Sequence, residues 1–365
     1  MVLILRIAYS NVMRILIVSD AWHPQLNGVV RTYKNLSEQL EKLGHKMRVV
    51  GPNEFKCGFP LPSYKEIRIT FFQQGRLKKI LSEFKPDHIH VATEGNLGRA
   101  MRRICLKMNI PFTTTYHTHF PDYIAKRLSF GKKDIYKILH KKAVQVMRDF
   151  HGDANLMFVA TQSLEDELKS WGFKTPMHRL VRGVDLSLFA QGNTQAKRLK
   201  FKKPVALYVG RVAVEKNLEA FLDMDWHGDK VIVGDGPALE ELKRKYKDAI
   251  FVGRQTGKDL VAHYKAADIF VFPSKTDTFG IVLIEALAAG VPVAAYPVTG
   301  PKDIIIKDYL GCLKDDLATA AEYALKAGDP EKCKKHVRDN YTWDKVALQF
   351  LDGINIAKTN AKEAA

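Results

Sequence analysis

The amino-acid sequence predicts an α/β protein of two doubly wound domains. From residue 13 to about residue 190, short apolar runs alternate with longer segments whose apolar residues recur at helical spacing. The pattern fails in the polar stretch 189–204, interpreted as a linker, and then restarts. A length of 365 residues is sufficient for two domains. Strands alternating with helices imply parallel sheets, whose ligands bind beyond the carboxyl ends of the strands. We therefore expect two such domains facing each other across a ligand-binding cleft.

The N-terminal domain is predicted to cover residues 1–190. Met13 is expected to open its first strand, with residues 1–12 as an extension. Arg6 and Arg14 interrupt the apolar start and no small-residue cleavage site follows, which argues against a signal peptide. The predicted strands are RILIVSD (14–20), KMRVVG (46–51), HIHVA (88–92), PFTTTYH (111–117) and NLMFVAT (155–161). The predicted helices are GVVRTYKNLSEQLEKLG (28–44), NLGRAMRRICLKMN (96–109) and KKDIYKILHKKAVQVMRDFH (132–151).

The C-terminal domain is predicted to cover residues 191–340. Its predicted strands are VALYVGR (205–211), DKVIVGDG (229–236), IFVG (250–253), DIFVFPS (268–274) and VPVAAYP (291–297), with helices near 217–224, 237–247, 258–267 and 279–289. Residues 341–365 read as one amphipathic helix that packs on another surface. Its apolar positions are Trp343, Val346, Phe350, Leu351 and Ile354.

The net charge of +17 is large, and most of it lies in residues 1–190. Such a field attracts nucleic acid, an anionic membrane or anionic substrates. A zinc finger, an RNA-binding signature and a repeated basic motif are all missing from the sequence, so we do not expect nucleic acid as a partner. The four cysteines form no CxxC pair, which predicts isolated thiols in a reducing compartment. The sequence contains no run of about 18 apolar residues, so no transmembrane helix is predicted.

The segment KRLSFGKKDIYKILHKKAVQVMR (126–148) interleaves lysines with apolar side chains. The apolar members are Phe130, Ile135, Tyr136, Ile138, Leu139 and Val144. This composition is compatible with a solvated helix face above a core stripe, but the one-sided charge favours attachment to an anionic membrane surface.

The segment PSKTDTFGIVLIEALAAG (273–290) carries Asp277 before a predicted helix and Glu285 inside it. The first amides of that helix form an anion site, and Gly280 allows a phosphate to approach the backbone. The two acids would then accept hydrogen bonds from hydroxyl groups on either side, as in a sugar–diphosphate–ribose ligand. Alternatively, Asp277 caps the helix and Glu285 is a buried acid paired with a base.

Other candidate residues follow predicted strands. Arg211 and Lys216 lie in a strand-to-helix loop from which cations reach a diphosphate, although both are also compatible with ordinary surface charges. The pair Asn27-Gly28 lies at another such turn. His117 and His119 form a His-x-His pair without a convincing third metal ligand, so we expect one histidine in the cleft and the other in a structural role.

Taken together, the stretches GRVAVEKN, VGDGP, FVG and PSKTDTFGIVLIEALAAGVPVAAYPVTGP resemble, in order and spacing, the retaining GT-B glycosyltransferases that include phosphatidylinositol mannosyltransferases and sucrose synthase. The resemblance is strongest over residues 208–303. The family's Glu-x7-Glu motif is here Asp277-x7-Glu285, and TDTFG, NGVVRT and YHTHFPDY are similar to the subgroup of sulfoquinovosyl-diacylglycerol synthase and lipid α-mannosyltransferases. The resemblance implies the GT-B fold, in which two Rossmann-like domains face each other and the C-terminal helix crosses back to the N-terminal domain.

The resemblance also implies roles for individual residues. Catalysis would involve His117 near the anomeric carbon, Arg211 and Lys216 on the diphosphate, and Asp277 on the sugar. The donor-binding set would be Gly28, Arg211, Lys216, Gly253, Asp277, Phe279, Gly280, Ile281 and Glu285, with Glu285 on the ribose. Neither a metal nor another cofactor is expected besides the nucleotide-sugar.

The expected function is transfer of a hexose from a UDP- or GDP-sugar to a membrane lipid hydroxyl, with retention at the anomeric carbon. A diacylglycerol or glycolipid acceptor and a position at the inner face of the cytoplasmic membrane follow from the resemblance and the charge. Other acceptors, namely a lipid A sugar, a polyprenyl-linked glycan or a soluble glycan, remain alternatives. A nucleotide-sugar epimerase or hydrolase with the same fold is a further alternative.

Overall fold

The computed structural model of the protein describes residues 12–25, 27–61, 64–129, 131–190 and 201–363. It divides into two compact units. The first comprises the chain up to Val181 together with the chain from Val346 onward, and the second runs from Arg182 to Lys345. The predicted linker 189–204 lies mostly outside the described residues, as do residues 1–11.

The first unit contains a parallel six-stranded sheet in the order β2-β1-β5-β6-β7-β8 and a separate antiparallel hairpin, β3–β4. The strands are β1 Arg14–Val18, β2 Lys46–Val50, β3 Gly58–Leu61, β4 Tyr64–Thr70, β5 His88–Val91, β6 Phe112–Thr115, β7 Leu156–Val159 and β8 Met177–Arg179. Every residue of β5, β6 and β7 is buried. Parallel strands covered on both faces show this continuous burial.

Among the described residues, six helices connect these strands. They are α1 Gly28–Lys42, α2 Gln73–Phe84, α3 Asn96–Lys107, α4 Phe120–Leu128, α5 Lys133–His151 and α6 Gln162–Ser170. In α1, Asn27 is the N-cap and accepts hydrogen bonds from the amides of Val29 and Val30. Leu36 and Leu40 follow four residues apart on its buried side.

The second unit contains another parallel sheet of six strands, in the order β11-β10-β9-β12-β13-β14. The strands are β9 Ala206–Val209, β10 Lys230–Val233, β11 Ile250–Gly253, β12 Ile269–Phe272, β13 Val293–Ala295 and β14 Gly311–Leu313. The helices are α7 Leu186–Ala190, α8 Leu218–Leu222, α9 Leu239–Lys245, α10 Gly257–Ala266, α11 Ile281–Ala289, α12 Pro301–Ile304, α13 Leu317–Ala327 and α14 Pro330–Asn340. The strand order reverses between β9 and β12, and loops at such a switch point form the usual ligand site of an open α/β sheet.

The C-terminal helix, α15, spans Trp343–Glu363. From Val346 onward it belongs to the first unit, where Phe350 stacks on Phe158 with 5.1 Å between ring centroids. Gly353 allows a close approach, since a Cβ there would lie 2.3 Å from Phe158. All five apolar positions noted in the sequence are buried. Within the described ranges, no helix is both long and apolar enough to cross a bilayer.

Candidate active site

The switch point of the second unit brings together two predicted site residues. Lys216 closes the short 3-10 turn after β9, and Asp277 lies in the loop after the neighbouring strand β12. The Lys216 Nζ lies 2.6 Å from Asp277 Oδ1, and both side chains are about one quarter exposed. Asn217 donates a hydrogen bond to the Pro273 carbonyl oxygen at 3.1 Å, which ties the two loops together.

Asp277 does not cap the following helix, contrary to one of the sequence interpretations. The N-cap of α11 is Gly280, which has a φ of 85° and no side chain to satisfy the first amides. The Asp277 Oδ2 atom is buried and, among the described residues, accepts no hydrogen bond. The site therefore combines a carboxylate oxygen with spare hydrogen-bonding capacity and a helix N-terminus that favours anions.

Arg211 is exposed in the same loop as Lys216, and its guanidinium lies 3.7 Å from the Glu215 carboxylate. The buried Tyr208 donates a hydrogen bond from its hydroxyl to the Arg211 carbonyl oxygen at 2.9 Å. This bond holds the loop backbone while the guanidinium stays accessible to solvent.

Glu285 is 2% exposed, on the second turn of α11. Its Oε2 accepts a hydrogen bond of 2.8 Å from the hydroxyl of Tyr264, a residue of α10 that the sequence analysis missed. Phe279 is buried against Tyr341, and Ile281 is half-buried at the start of α11. No local sequence signal identifies Tyr264 as the partner of Glu285, because Tyr264 belongs to another helix.

Glycines bring the neighbouring loops into close contact. A Cβ on Gly234 would lie 1.8 Å from the Gly210 carbonyl oxygen, and one on Gly236 would lie 2.3 Å from that of Val212. Gly253, a predicted donor-binding residue, ends β11 with a φ of 80° and accepts a hydrogen bond from the Gly234 amide. The VGDGP stretch therefore packs closely against the backbone of the loop that carries Arg211 and Lys216.

In the first unit, His117 follows β6 and belongs to a buried polar network. The Tyr33 hydroxyl lies 2.8 Å from His117 Nε2, 2.8 Å from His90 Nε2 and 3.1 Å from Thr115 Oγ1. Burial, with a smaller effect of His88, lowers the pKa of His90 well below its ordinary value. His90 is therefore neutral at physiological pH, and the network fixes the orientation of the His117 ring.

His119 lies apart from this network and belongs to a different group of side chains, so the two histidines do not form a pair around one site. His119 is buried beside Asp122 and Glu167, one ligand atom of each lying within 4.8 Å of the other two.

Gly28 opens α1, where the next two amides are already bonded to Asn27. The side-chain cap thus leaves fewer amides for a phosphate than the sequence suggested.

Asp20 is a further half-buried group that the sequence did not single out. Its carboxylate accepts hydrogen bonds from the amides of Leu97 and Gly98, at the start of α3, and from Thr93. Burial raises the pKa of this carboxyl, although those hydrogen bonds oppose the rise. Asp20 therefore joins the loops after β1 and β5, two neighbouring strands.

Two sequence profiles match most of the chain. The one described as Glycosyltransferase Family 4 matches residues 26–188, and the one described as Glycosyl transferases group 1 matches residues 191–339. The first range includes His117, and the second includes Arg211, Lys216 and Asp277. The chain therefore belongs to the GT-B glycosyltransferases of this family, as its resemblance predicted.

Individual relatives are similar to this chain over most of its length. The sulfoquinovosyl transferase SQD2 of Arabidopsis thaliana is 29% identical over 85% of this chain, which spans 59% of that longer protein. A GDP-mannose-dependent alpha-mannosyltransferase of Corynebacterium glutamicum is 28% identical, over 93% of this chain and 88% of the relative. An alpha-monoglucosyldiacylglycerol synthase of Streptococcus pneumoniae is 27% identical, over 86% of this chain and 79% of the relative.

A solved structure shares the fold. Sucrose-phosphate synthase from Thermosynechococcus elongatus superposes with a TM-score of 0.73 at 21% identity, covering 93% of this chain and 97% of the other. The predicted fold class, an α/β protein with two doubly wound Rossmann-like domains of the GT-B type, is thereby confirmed.

Proposed function

We propose that this glycosyltransferase moves a hexosyl group from a UDP- or GDP-sugar to a hydroxyl of a membrane lipid, diacylglycerol or a glycolipid, with retention and without a metal ion. The observation that carries the proposal is the pairing of Lys216 with Asp277 beside the N-terminus of α11. A cation, an acid and a helix start at a topological switch point suit a diphosphate with an attached sugar.

In this reaction the main task of the protein is to stabilise the charge that develops on the leaving nucleotide. As the bond from the anomeric carbon to the diphosphate oxygen breaks, negative charge grows on the nucleotide. Arg211, Lys216 and the first amides of α11 would stabilise that charge. The acceptor oxygen forms the new bond to the anomeric carbon on the same face, and its proton passes to the departing phosphate. Asp277 and Glu285 would bind the sugar and ribose hydroxyls, and His117 would contact the sugar near the anomeric carbon.

The acceptor class rests on the relatives and on the first unit. Two of the relatives are a sulfoquinovosyl transferase and a monoglucosyldiacylglycerol synthase. In α4 and α5 of this protein, apolar side chains are exposed among lysines. They are Phe120, Ile124, Leu128, Ile135, Ile138 and Val146. We propose that this surface holds the protein on the anionic cytoplasmic face of a membrane.

The test is product analysis with anionic vesicles that contain diacylglycerol and a panel of UDP- and GDP-hexoses. We expect an α-linked glycolipid from one donor, at a rate unchanged when Mg²⁺ and Mn²⁺ are omitted. Arg211→Ala should lower kcat/KM by about a hundredfold, as loss of an oxyanion donor does. Arg244→Ala, at an exposed arginine of α9 in the same unit, should leave it unchanged.

Three results would contradict the proposal. They are a free sugar or an epimerised donor formed equally well without lipid, a strict requirement for an added divalent metal, and near-normal kcat/KM in Arg211→Ala.

A further inference from the structure

We propose that His119, Asp122 and Glu167 bind a divalent transition-metal ion of the zinc type, with His140 as the fourth ligand. The four residues lie in the first unit, and they come from the start of α4, from α5 and from α6. The site goes beyond the proposed transfer reaction, because none of these residues has a role in it.

The distances suit a small ion. His119 Nε2 lies 3.6 Å from Glu167 Oε2, and the other ring nitrogen, Nδ1, lies 3.9 Å from Asp122 Oδ2, so the ring would turn to offer one of them to the ion. His140 Nε2 lies 3.6 Å from the same Asp122 oxygen. Ligands around a tetrahedral zinc ion are about 3.3 Å apart, given bond lengths near 2.0 Å. One ligand atom each of His119, Asp122 and Glu167 lies within 4.8 Å of the other two, so side-chain rotations would close these three around an ion, and His140 would move in from its contact with Asp122.

The described side chains compensate the charge of the site poorly. Glu167 Oε2 is buried, and no described residue donates a hydrogen bond to it. Asp122 Oδ1 is already bonded to the Tyr136 hydroxyl at 2.6 Å, which leaves Oδ2 directed towards the histidines. A divalent cation would supply the missing positive charge.

A second buried group points to an absent ligand. The Tyr116 hydroxyl is fully buried and has no hydrogen-bond partner among the described residues. Its ring lies beside the cluster, with 6.3 Å between the ring centroids of Tyr116 and His119. A buried polar group without a partner is rare in folded proteins, and a water bound to the metal would provide one.

The types of ligand atom determine which metal the site prefers. Imidazole nitrogens mixed with carboxylate oxygens suit zinc and neighbouring transition metals, whereas magnesium and calcium prefer oxygen ligands alone. The ion would cross-link the loop after β6 to α4, α5 and α6. It would thereby rigidify the segment between His117 and the exposed apolar side chains of α4.

The test titrates Zn²⁺ into the chelator-treated full-length protein by isothermal calorimetry, with Mg²⁺ as a comparison. We expect one zinc per chain and no magnesium binding. Glu167→Gln should raise the zinc Kd at least tenfold, and so should Asp122→Asn. Glu167→Gln breaks no described hydrogen bond, and near-UV circular dichroism should show native packing in both variants.

The matched control is Asp166→Asn, at an exposed acid beside Glu167 on the same helix, which should keep the wild-type Kd. Cobalt loaded in place of zinc gives a second readout, because its visible spectrum should indicate mixed nitrogen and oxygen ligands in the wild type and weaken in Glu167→Gln. Absence of zinc binding, or a zinc Kd unchanged in both Glu167→Gln and Asp122→Asn, would overturn the proposal.

Discussion

The two oxygens of the Asp277 carboxylate have different surroundings. One oxygen is paired with Lys216 at 2.6 Å, and the other is buried without a described partner. Under the proposed function, the first oxygen restrains the lysine that contacts the diphosphate, and the second accepts a sugar hydroxyl. Sugar recognition and diphosphate recognition are therefore coupled through one side chain.

We predict that Asp277→Asn separates these two effects. Loss of a charged hydrogen-bond acceptor should weaken nucleotide-sugar binding about tenfold. Binding of the free nucleoside diphosphate should stay equal or become tighter, because Lys216 loses its anionic partner. Calorimetry with both ligands measures the difference, and Asp248→Asn, at an exposed acid of the same unit, is the control. Equal weakening of both ligands would exclude the assignment of Asp277 to the sugar.

Tyr33 is the residue on which the orientation of His117 depends. Its hydroxyl is shared by His117, His90 and Thr115, all inside the first unit. Removing the hydroxyl leaves buried polar atoms unsatisfied while the aromatic ring still fills its space.

We expect Tyr33→Phe to lower the free energy of unfolding by about 1–3 kcal/mol, the usual cost of unpaired buried polar groups. Transfer activity should also fall, roughly tenfold, since His117 loses its anchor. Denaturant unfolding and initial rates measure the two effects. Tyr323→Phe, at a tyrosine 45% exposed, should change neither. Full activity in Tyr33→Phe would show that the network is structural only.

At the scale of the elements, α5 differs from an ordinary surface helix. Ile135 is 39% exposed and Ile138 is 57% exposed, whereas Val144 and Met147 near its other end are buried. The core-stripe interpretation therefore holds for the second half of the helix only. The first half presents isoleucines and lysines together to solvent.

We predict that Ile135→Ser combined with Ile138→Ser weakens binding to vesicles containing phosphatidylglycerol by about tenfold. Each buried isoleucine contributes up to about 1.5–3 kcal/mol, and partial insertion recovers only part of it. Vesicle sedimentation at two salt concentrations measures the loss, and salt should weaken the wild type as well. Ile306→Ser, at an isoleucine of the second unit that is also 57% exposed, is the control. Unchanged binding in the double variant would place the membrane contact elsewhere.

At the scale of the whole molecule, the first unit is assembled from two distant parts of the chain. Phe350, on the C-terminal helix, is fully buried, stacks on Phe158 and lies edge-on to His90 at 5.2 Å. Folding of the N-terminal sheet is thus linked to residues that follow the second unit in sequence.

We expect Phe350→Ala to destabilise the first unit by about 3–5 kcal/mol, the usual cost of deleting a buried phenylalanine. Calorimetry should show its transition at a lower temperature and the transition of the second unit unchanged. Ile356→Ala, 37% exposed on the same helix, should cost far less. A wild-type thermogram for Phe350→Ala would mean that the helix contributes little to the unit.

Most strands could be predicted because a parallel strand buried on both faces is a continuous apolar run. The exceptions have physical reasons. The β8 strand reads MHR and is only half-buried, and β14 has three residues, so neither carries a strong pattern. The hairpin β3–β4 lies outside the main sheets. Its two strands do not alternate with helices, so the pattern that predicted the other strands did not predict them.

The site was predictable as a set of positions but not as a set of contacts. Chain order and motif spacing placed Arg211, Lys216 and Asp277 at strand ends, and parallel-sheet geometry made those ends the expected ligand site. Lys216 and Asp277 are 61 residues apart, and only the adjacency of β9 and β12 brings them within a hydrogen bond. Likewise His117 and His119 are close in sequence, yet one contacts Tyr33 and the other faces Asp122 and Glu167. Apolar periodicity reports local geometry, whereas the partner of a polar side chain depends on which distant elements pack against it.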